Sequence, residues 1–346
     1  MRRPTWVTTA IWVAAVALAV SVGAAVAAGI PGYTGKEGAA PSTFGNVKAK
    51  AGVRCKIGLQ NPLAANESLQ YMQKGAVAQA KALGCKIITL DDALSVDKQV
   101  SNMQQLLAQK VNAIIFYPLD PKAVNPVLAQ AKKQGVPVVA EDAGFGNPAA
   151  KGIPGVSAGV WQARDIQAFL QVKALAKAKP GAKVGLIGIG APVPALKYLT
   201  SRQAFYAKKA GLTVVGVQDN ATDDVTGGQK AGNALVQRFP AMNAVIGYND
   251  PSAIGAVIAA RSVGRKLTVV GLNGTSDGLA AVRDGRLAAT VRSESVSIGR
   301  ELVRGAYLLT SKQKLPAAVV VVRPNLVTKA NVDKLPSWDA QLKTIK

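Results

Sequence analysis

Apolar and polar positions alternate in blocks along the chain, and the block from 100 to 142 sets the pattern. It reads VSNMQQLLAQKVNAIIFYPLDPKAVNPVLAQAKKQGVPVVAED. Val100, Met103, Leu106, Leu107 and Val111 recur near the helical period, which predicts an amphipathic helix. Residues 113–117 are a short apolar run stopped by Pro118, as expected of a strand buried on both faces. Residues 120–134 return to helical spacing with Gly135 as a C-cap, and 136–140 form the next buried strand. Two parallel strands joined by a crossover helix make one βαβ unit. Its strands end in Pro118-Leu119-Asp120 and Glu141-Asp142, polar groups at the edge where open α/β sheets bind ligands.

The same alternation continues on both sides. A first strand is expected at 54–59 and a second at 85–90, with Leu69, Met72, Ala76, Ala80 and Leu83 marking one helix face between them. A Gly- and Pro-rich loop at 143–157 leads to a helix at 161–179 and then to a second series. Strands are expected at 183–189, 213–218, 244–249, 268–273 and 288–293, with helices at 195–210, 226–239, 251–263 and 276–284 between or after them. A helix at 295–310, an apolar strand at 319–322 and a tail carrying Trp338 complete the chain. The pattern predicts two α/β domains, each a doubly wound parallel sheet, with a cleft facing both sets of strand carboxyl ends.

The ends and the composition narrow this picture. Arg2 and Arg3 followed by an uncharged apolar run over 9–28, ending in Ala25-Val26-Ala27, read as a cleavable export signal over 1–28. An uncleaved anchor is the alternative, since the run approaches the ~20 residues that span a bilayer. Residues 29–52 read as a flexible tether. Formal charge is +23, and residues 1–28 hold two arginines and no acid, so 23 − 2 leaves +21 after cleavage. The lysines are spread over helices with no basic run interleaved with aromatics, which points away from nucleic acid and towards an anionic surface or an acidic partner. The chain has no histidine, which excludes a Ser-His-Asp triad, a Cys-His pair and imidazole zinc sites. Cys55 and Cys85 start strands that neighbour each other in a doubly wound sheet, so a disulfide is expected, with two buried thiols as the alternative.

Candidate chemistry is sparse. Gly188-Ile189-Gly190 follows a strand but lacks the third glycine and the GK[ST] ending of phosphate loops, so it reads as a tight strand-to-helix turn. Asp142, Asn249, Asp250 and Asn273 all end predicted strands. Singly, each could merely cap the next helix. Together, at equivalent topological places, carboxylates and amides between apolar walls suit a neutral polyol. No nucleophile has a base beside it. The reading therefore assigns no catalytic residue, no cofactor and no metal.

Four motifs, VNAIIFYPLDPKAVNPVLAQAKKQGVPVVAED, AVIGYNDPSAIGAV, LTVVGLNGTSDGLAAVRDGRLAATV and PNLVTKANV, resemble the ribose/galactose-type periplasmic binding proteins of ABC importers, over about 55–328. That resemblance implies two discontinuous lobes joined by three crossings near Ser157, Ser293 and Asn325. The first lobe would be 53–157 plus 294–325 and the second 158–293 plus 326–346. It implies hinge closure on a small ligand, delivery to a permease in the inner membrane and a periplasmic location. A monomer is expected, because a closing cleft needs free lobes. The sugar-responsive repressors of the same fold carry an N-terminal DNA-binding unit where this chain has the export signal.

The resemblance also implies contacts. Asn66, Asp142 and Asn249 match family ligand residues, Asn273 stands in place of a usual aspartate, and Ser293 in place of a usual glutamine. The departures are Ser68 and Leu69, where the family has stacking rings, and Ala143, where it has an arginine. Arg202 is the nearest candidate for the second lobe's arginine. Tyr71, Phe145, Trp161, Tyr198 or Tyr248 are candidate replacement walls, with Trp161 taken into the ligand set beside Ser68. The expectation is an exported, non-enzymatic binder of a sugar or sugar-like solute for an ABC importer. A sensory receptor of the same fold and a binder of an anionic solute are the alternatives.

Overall fold

The computed structural model describes residues 42–142 and 152–346. The export-signal segment and the loop at 143–151, Phe145 included, lie outside the described residues.

The chain first lays down β1 (Lys56–Asn61), α1 (Glu67–Ala82), β2 (Lys86–Asp91), α2 (Val96–Ala108), β3 (Ala113–Phe116), α3 (Pro121–Lys133), β4 (Val138–Glu141) and β5 (Ala158–Trp161). It continues with α4 (Arg164–Ala178), β6 (Lys183–Ile189), α5 (Pro194–Lys209), β7 (Thr213–Asn220), α6 (Val225–Arg238), β8 (Ala244–Gly247), α7 (Asp250–Ser262), β9 (Thr268–Asn273), α8 (Ser276–Arg283) and β10 (Ala289–Arg292). It ends with α9 (Ser295–Thr310), β11 (Val319–Val321), β12 (Asn325–Val327) and α10 (Trp338–Leu342).

Two six-stranded sheets result, ordered β11-β5-β4-β3-β1-β2 and β12-β10-β9-β8-β6-β7. Every pairing is parallel except β10 with β12. β3, β4, β8 and β10 are buried at every position, as continuous apolar runs in parallel sheets require. Helices are capped by polar residues in the loops that follow the strands: Asn66 accepts from the Leu69 amide, Asp120 from Lys122 and Asn249 from Ser252. On the first sheet α1 and α9 approach so closely that a Cβ on Gly299 would lie 1.9 Å from the Met72 carbonyl oxygen. Cys55 and Cys85 are bonded, tying the starts of β1 and β2 at a Cα separation of 4.6 Å. The bond closes a sequence separation of 30 residues, a constraint on the unfolded chain of about 3–4 kcal/mol.

The lobe boundaries differ from expectation in three places. β5 pairs with β4 and β11 in the first sheet, so Ala158–Trp161 belong to the first lobe and the first crossing follows Trp161 rather than Ser157. Trp161 accordingly ends a strand instead of opening a helix. Residues 42–52 are not a free tether. Phe44 is buried against Gly305, its amide donates to Glu301 Oε2 at 2.7 Å, and the Lys50 amide donates to Tyr307 Oη at 2.7 Å. One aromatic ring in a polar stretch was enough to pin it.

The tail also leaves the second lobe. Val332 and Leu335 pack in the second core, but Trp338 and α10 then return to α1 and α9 of the first lobe. The Trp338 ring sits 5.0 Å from that of Tyr71, and its indole nitrogen donates to the Ser293 carbonyl at 3.2 Å. Tyr71 in turn donates to Asp339 at 2.9 Å, so this ring lies at the tail and not in the cleft. The tail is thus a fourth strand of chain between the lobes. Trp338→Ala should remove its anchor and lower stability by about 3–5 kcal/mol. Urea unfolding measures this, and an unchanged midpoint would show that α10 does not hold the lobes.

Candidate functional site

The carboxyl edges of the two sheets face each other across a cavity of about 60 Å³. Ordinary ligand pockets hold ~300–1,000 Å³, so the lobes stand closed on too little space for a sugar and must part to admit one. The first lobe contributes Asn66, Ser68, Leu69, Tyr117 and Leu119; the second contributes Ile189, Leu196, Asp223, Tyr248 and Asn273. Gln162 and Arg164 enter from the first crossing.

The floor is built at that crossing. Asp142, at the end of β4, is fully buried and holds Arg164 Nε at 2.8 Å through Oδ2, while Oδ1 accepts from the Gln162 amide at 2.8 Å. Arg164 also donates to Gln167 Oε1 at 3.0 Å and to the Tyr117 hydroxyl at 3.4 Å. Burial raises the Tyr117 pKa, so that hydroxyl stays neutral. Glu141 accepts from the Gln162 amide nitrogen. Burial first, then the neighbouring Asp142 charge, raises its carboxyl pKa well above the usual range. Ser293 Oγ lies within hydrogen-bond reach of Gln162 Oε1 at 3.2 Å, Asn273 Oδ1 at 3.3 Å and Gln167 Nε2 at 3.2 Å.

The roof is Asp223, on the turn after β7. It has φ of 60°, and its Oδ1 accepts from Asn249 Nδ2 at 2.7 Å and from the Tyr248 hydroxyl. Its Oδ2 accepts across the cleft from Asn66 Nδ2 at 2.8 Å. Burial raises the pKa of Asp223 too. At the rim, Glu67 accepts from the amide and hydroxyl of Ser276, at 2.9 and 2.5 Å. These bonds join α1 of one lobe to the β7–α6 turn and the start of α8 in the other.

The structure sorts the expected residues. Asn66, Ser68 and Asn273 line the cavity, and Ser68 Oγ pairs with Ser295 Oγ at 2.8 Å. Asp142, Asn249 and Ser293 stand one hydrogen bond behind it, orienting Arg164, Asp223 and Asn273. Trp161 is buried in β5 and does not line it. Arg202 lies away from the cavity, pairing with Asp165 at 2.5 Å and stacking on Phe205. The guanidinium at the cleft is that of Arg164. Asp250 faces beneath the sheet, accepting from Thr275 and Thr290. Arg164 and Asp223 were missed in the sequence. The turn at Asp223 ends a strand like the others and could have been found by that rule, whereas Arg164 looks like an ordinary first-turn helix residue.

Two outcomes test this geometry. Asp223→Asn removes a charged acceptor worth ~1.5–3 kcal/mol per bond, so the ligand-free protein should open and its radius of gyration rise in small-angle scattering. An unchanged scattering curve would mean Asp223 does not latch the lobes. Glu141 binds its proton more tightly folded than unfolded, where the value is about 4.3. Stability therefore falls as pH rises from there towards the raised value. Glu141→Gln should match the parent at pH ~4 and exceed it at pH ~8 in urea unfolding, and equal stability at both would remove Glu141 as the cause.

Comparison with known proteins places this architecture. The family described as periplasmic binding protein domain matches residues 57–314. The ribose import binding protein of Bacillus subtilis is 30% identical over 269 residues, covering 76% of this chain and 82% of that protein. The xylitol-binding protein of Mycolicibacterium smegmatis is 26% identical over 269 residues, 75% and 74% of the two chains. A solute-binding protein of Bacillus halodurans solved with bound myo-inositol superposes with a TM-score of 0.73 at 21% identity, over 82% of this chain and 97% of that one. With its two parallel sheets meeting at their carboxyl edges, the chain belongs to the periplasmic binding protein family.

Proposed function

We propose that this chain is an exported binding protein that captures a neutral, polyhydroxylated solute by lobe closure and presents it to an ABC importer. The observation that carries this reading is the closed cleft, where amides, hydroxyls and one carboxylate converge between aliphatic and tyrosine walls. Such groups exchange hydrogen bonds with hydroxyls without needing a ligand charge. Ribose import and xylitol binding among the relatives support it. The basic sequence suggested an anion as alternative, but the cavity itself is not cationic. Arg164 is neutralised in contact by Asp142, and Asp223 adds a negative charge. Export rests on the segment over 1–28 and on the family's character.

A thermal-shift panel of pentoses, hexoses, polyols and sugar acids tests this. A ligand at ~100 times its dissociation constant adds about 2.7 kcal/mol of stability. A neutral sugar or polyol should shift the transition. A panel in which only the acids shift it, or in which nothing does, would sink the reading.

A further inference from the structure

Charge is segregated along the first lobe. The segments at the carboxyl edge of its sheet, 61–67, 91–97, 117–120, 141–142, 162–164 and 322–323, hold seven acids and two bases, Arg164 and Arg323. The opposite end gathers the starts of the parallel strands and the ends of the antiparallel helices, in segments 48–56, 81–86, 110–112, 132–137, 152–157 and 312–318. These hold eleven bases and no acid. Their proximity is direct: Arg54, Lys110 and Lys312 line one shallow crevice there, and Lys132 lines a second that shares Gly135 and Pro137 with it.

Helix dipoles explain only part of this. Bases in a last helical turn complement the partial negative charge of the helix end, which accounts for Lys81, Lys132 and Lys133. The other eight, among them Arg54, Lys86, Lys110 and Lys312, lie in loops or at strand starts. Like charges gathered this way repel, so the cluster opposes folding. Only Lys56 commits its side chain to a protein acceptor, the Gln109 carbonyl at 2.7 Å, and none is in an ion pair among the described residues.

The matching end of the second lobe makes a built-in control. Its segments 177–183, 208–213, 238–244, 261–268 and 283–288 hold as many bases, eleven, and one acid. Several of those bases are spent internally. Arg283 pairs with Asp333, Arg286 with Asp284, and Arg265 donates to the Val236 and Met242 carbonyls.

We propose that the acid-free pole of the first lobe is a docking surface for an anionic phospholipid bilayer. Six short loops reach this end, and no aromatic platform for bases lies in them, which fits a diffuse sheet of headgroups better than a nucleic-acid strand. Docking there leaves the cleft, at the other edge of the sheet, open to solvent and free to close. This surface does not depend on which ligand the cleft takes.

The test is co-sedimentation of the full chain with phosphatidylcholine vesicles with and without phosphatidylglycerol. Binding should require phosphatidylglycerol and fade as ionic strength rises from ~0.01 to 1 M, as the screening length falls from about 30 to 3 Å. Reversing Lys110→Glu, Lys132→Glu and Lys312→Glu together should weaken binding at least ~10-fold. The matched second-lobe variant, Lys179→Glu, Lys183→Glu and Lys208→Glu, should keep most of it. All six side chains are exposed, and circular dichroism confirms that both variants fold. Equal losses in the two variants would reduce the effect to net charge and overturn the proposal, as would binding that ignores phosphatidylglycerol.

Discussion

The buried pair of Asp142 and Arg164 is the interaction on which the site depends. It links the last residue region of β4 to the first turn of α4, and so spans the first crossing between lobes. Breaking one partner of such a pair strands a charge without solvent, at a cost of ~3–5 kcal/mol. The crossing is therefore held firm even as the lobes move about it. Asp142 has φ of 50° and Ala163 has φ of 51°, both left-handed without being glycine. Each such residue costs on the order of 1–3 kcal/mol and persists only where its surroundings dictate it. Leu94, Asp223 and Asn273, which line the cavity, also have positive φ. Strain is thus concentrated around the cleft, where turns must aim side chains inward instead of along the sheet.

The pocket compensates for what the sequence lacks. Ser68 and Leu69 replace a ring wall with a hydroxyl and an aliphatic chain, and Leu94, Leu119, Ile189 and Leu196 complete an aliphatic lining. Such walls exclude water and shape the space, while the rings on the lining are those of Tyr117 and Tyr248 instead of rings at 68 and 69. No arginine follows β4 directly, but Arg164, twenty-two positions after Asp142, reaches back to that aspartate.

Much of the fold was legible because parallel strands buried on both faces leave unbroken apolar runs. β6, β9 and α9 fall where the periodicity put them, and the disulfide followed from strand adjacency. The boundaries failed where a local pattern had two meanings. The run at 156–160 is equally apolar whether it ends one lobe or leaves it, and only pairing with β4 and β11 decides. Phe44 in a Gly- and Ser-rich stretch looked incidental until Gly305 provided its notch. In the site, Asn273 is readable from a strand end and Asn66 from the family resemblance, while Arg202 rests on nearness in sequence. Its partner Asp165 lies thirty-seven residues away and could not be seen.

The closed cleft carries a consequence for affinity. With no room for a sugar, opening must break the bond of Asn66 to Asp223 and those of Glu67 to Ser276. The two losses are not equivalent. Glu67 and Ser276 meet at the rim and are exposed, so they can re-form around a bound solute. Asp223 is part-buried beside the cavity, and a solute between the lobes separates it from Asn66. The solute must then supply the missing donor, or leave a half-satisfied buried carboxylate. Closure therefore rewards a ligand with a hydroxyl at that place and penalises one without it. Selectivity arises from the bond the empty protein makes with itself, because only a ligand that replaces it recovers the closed state.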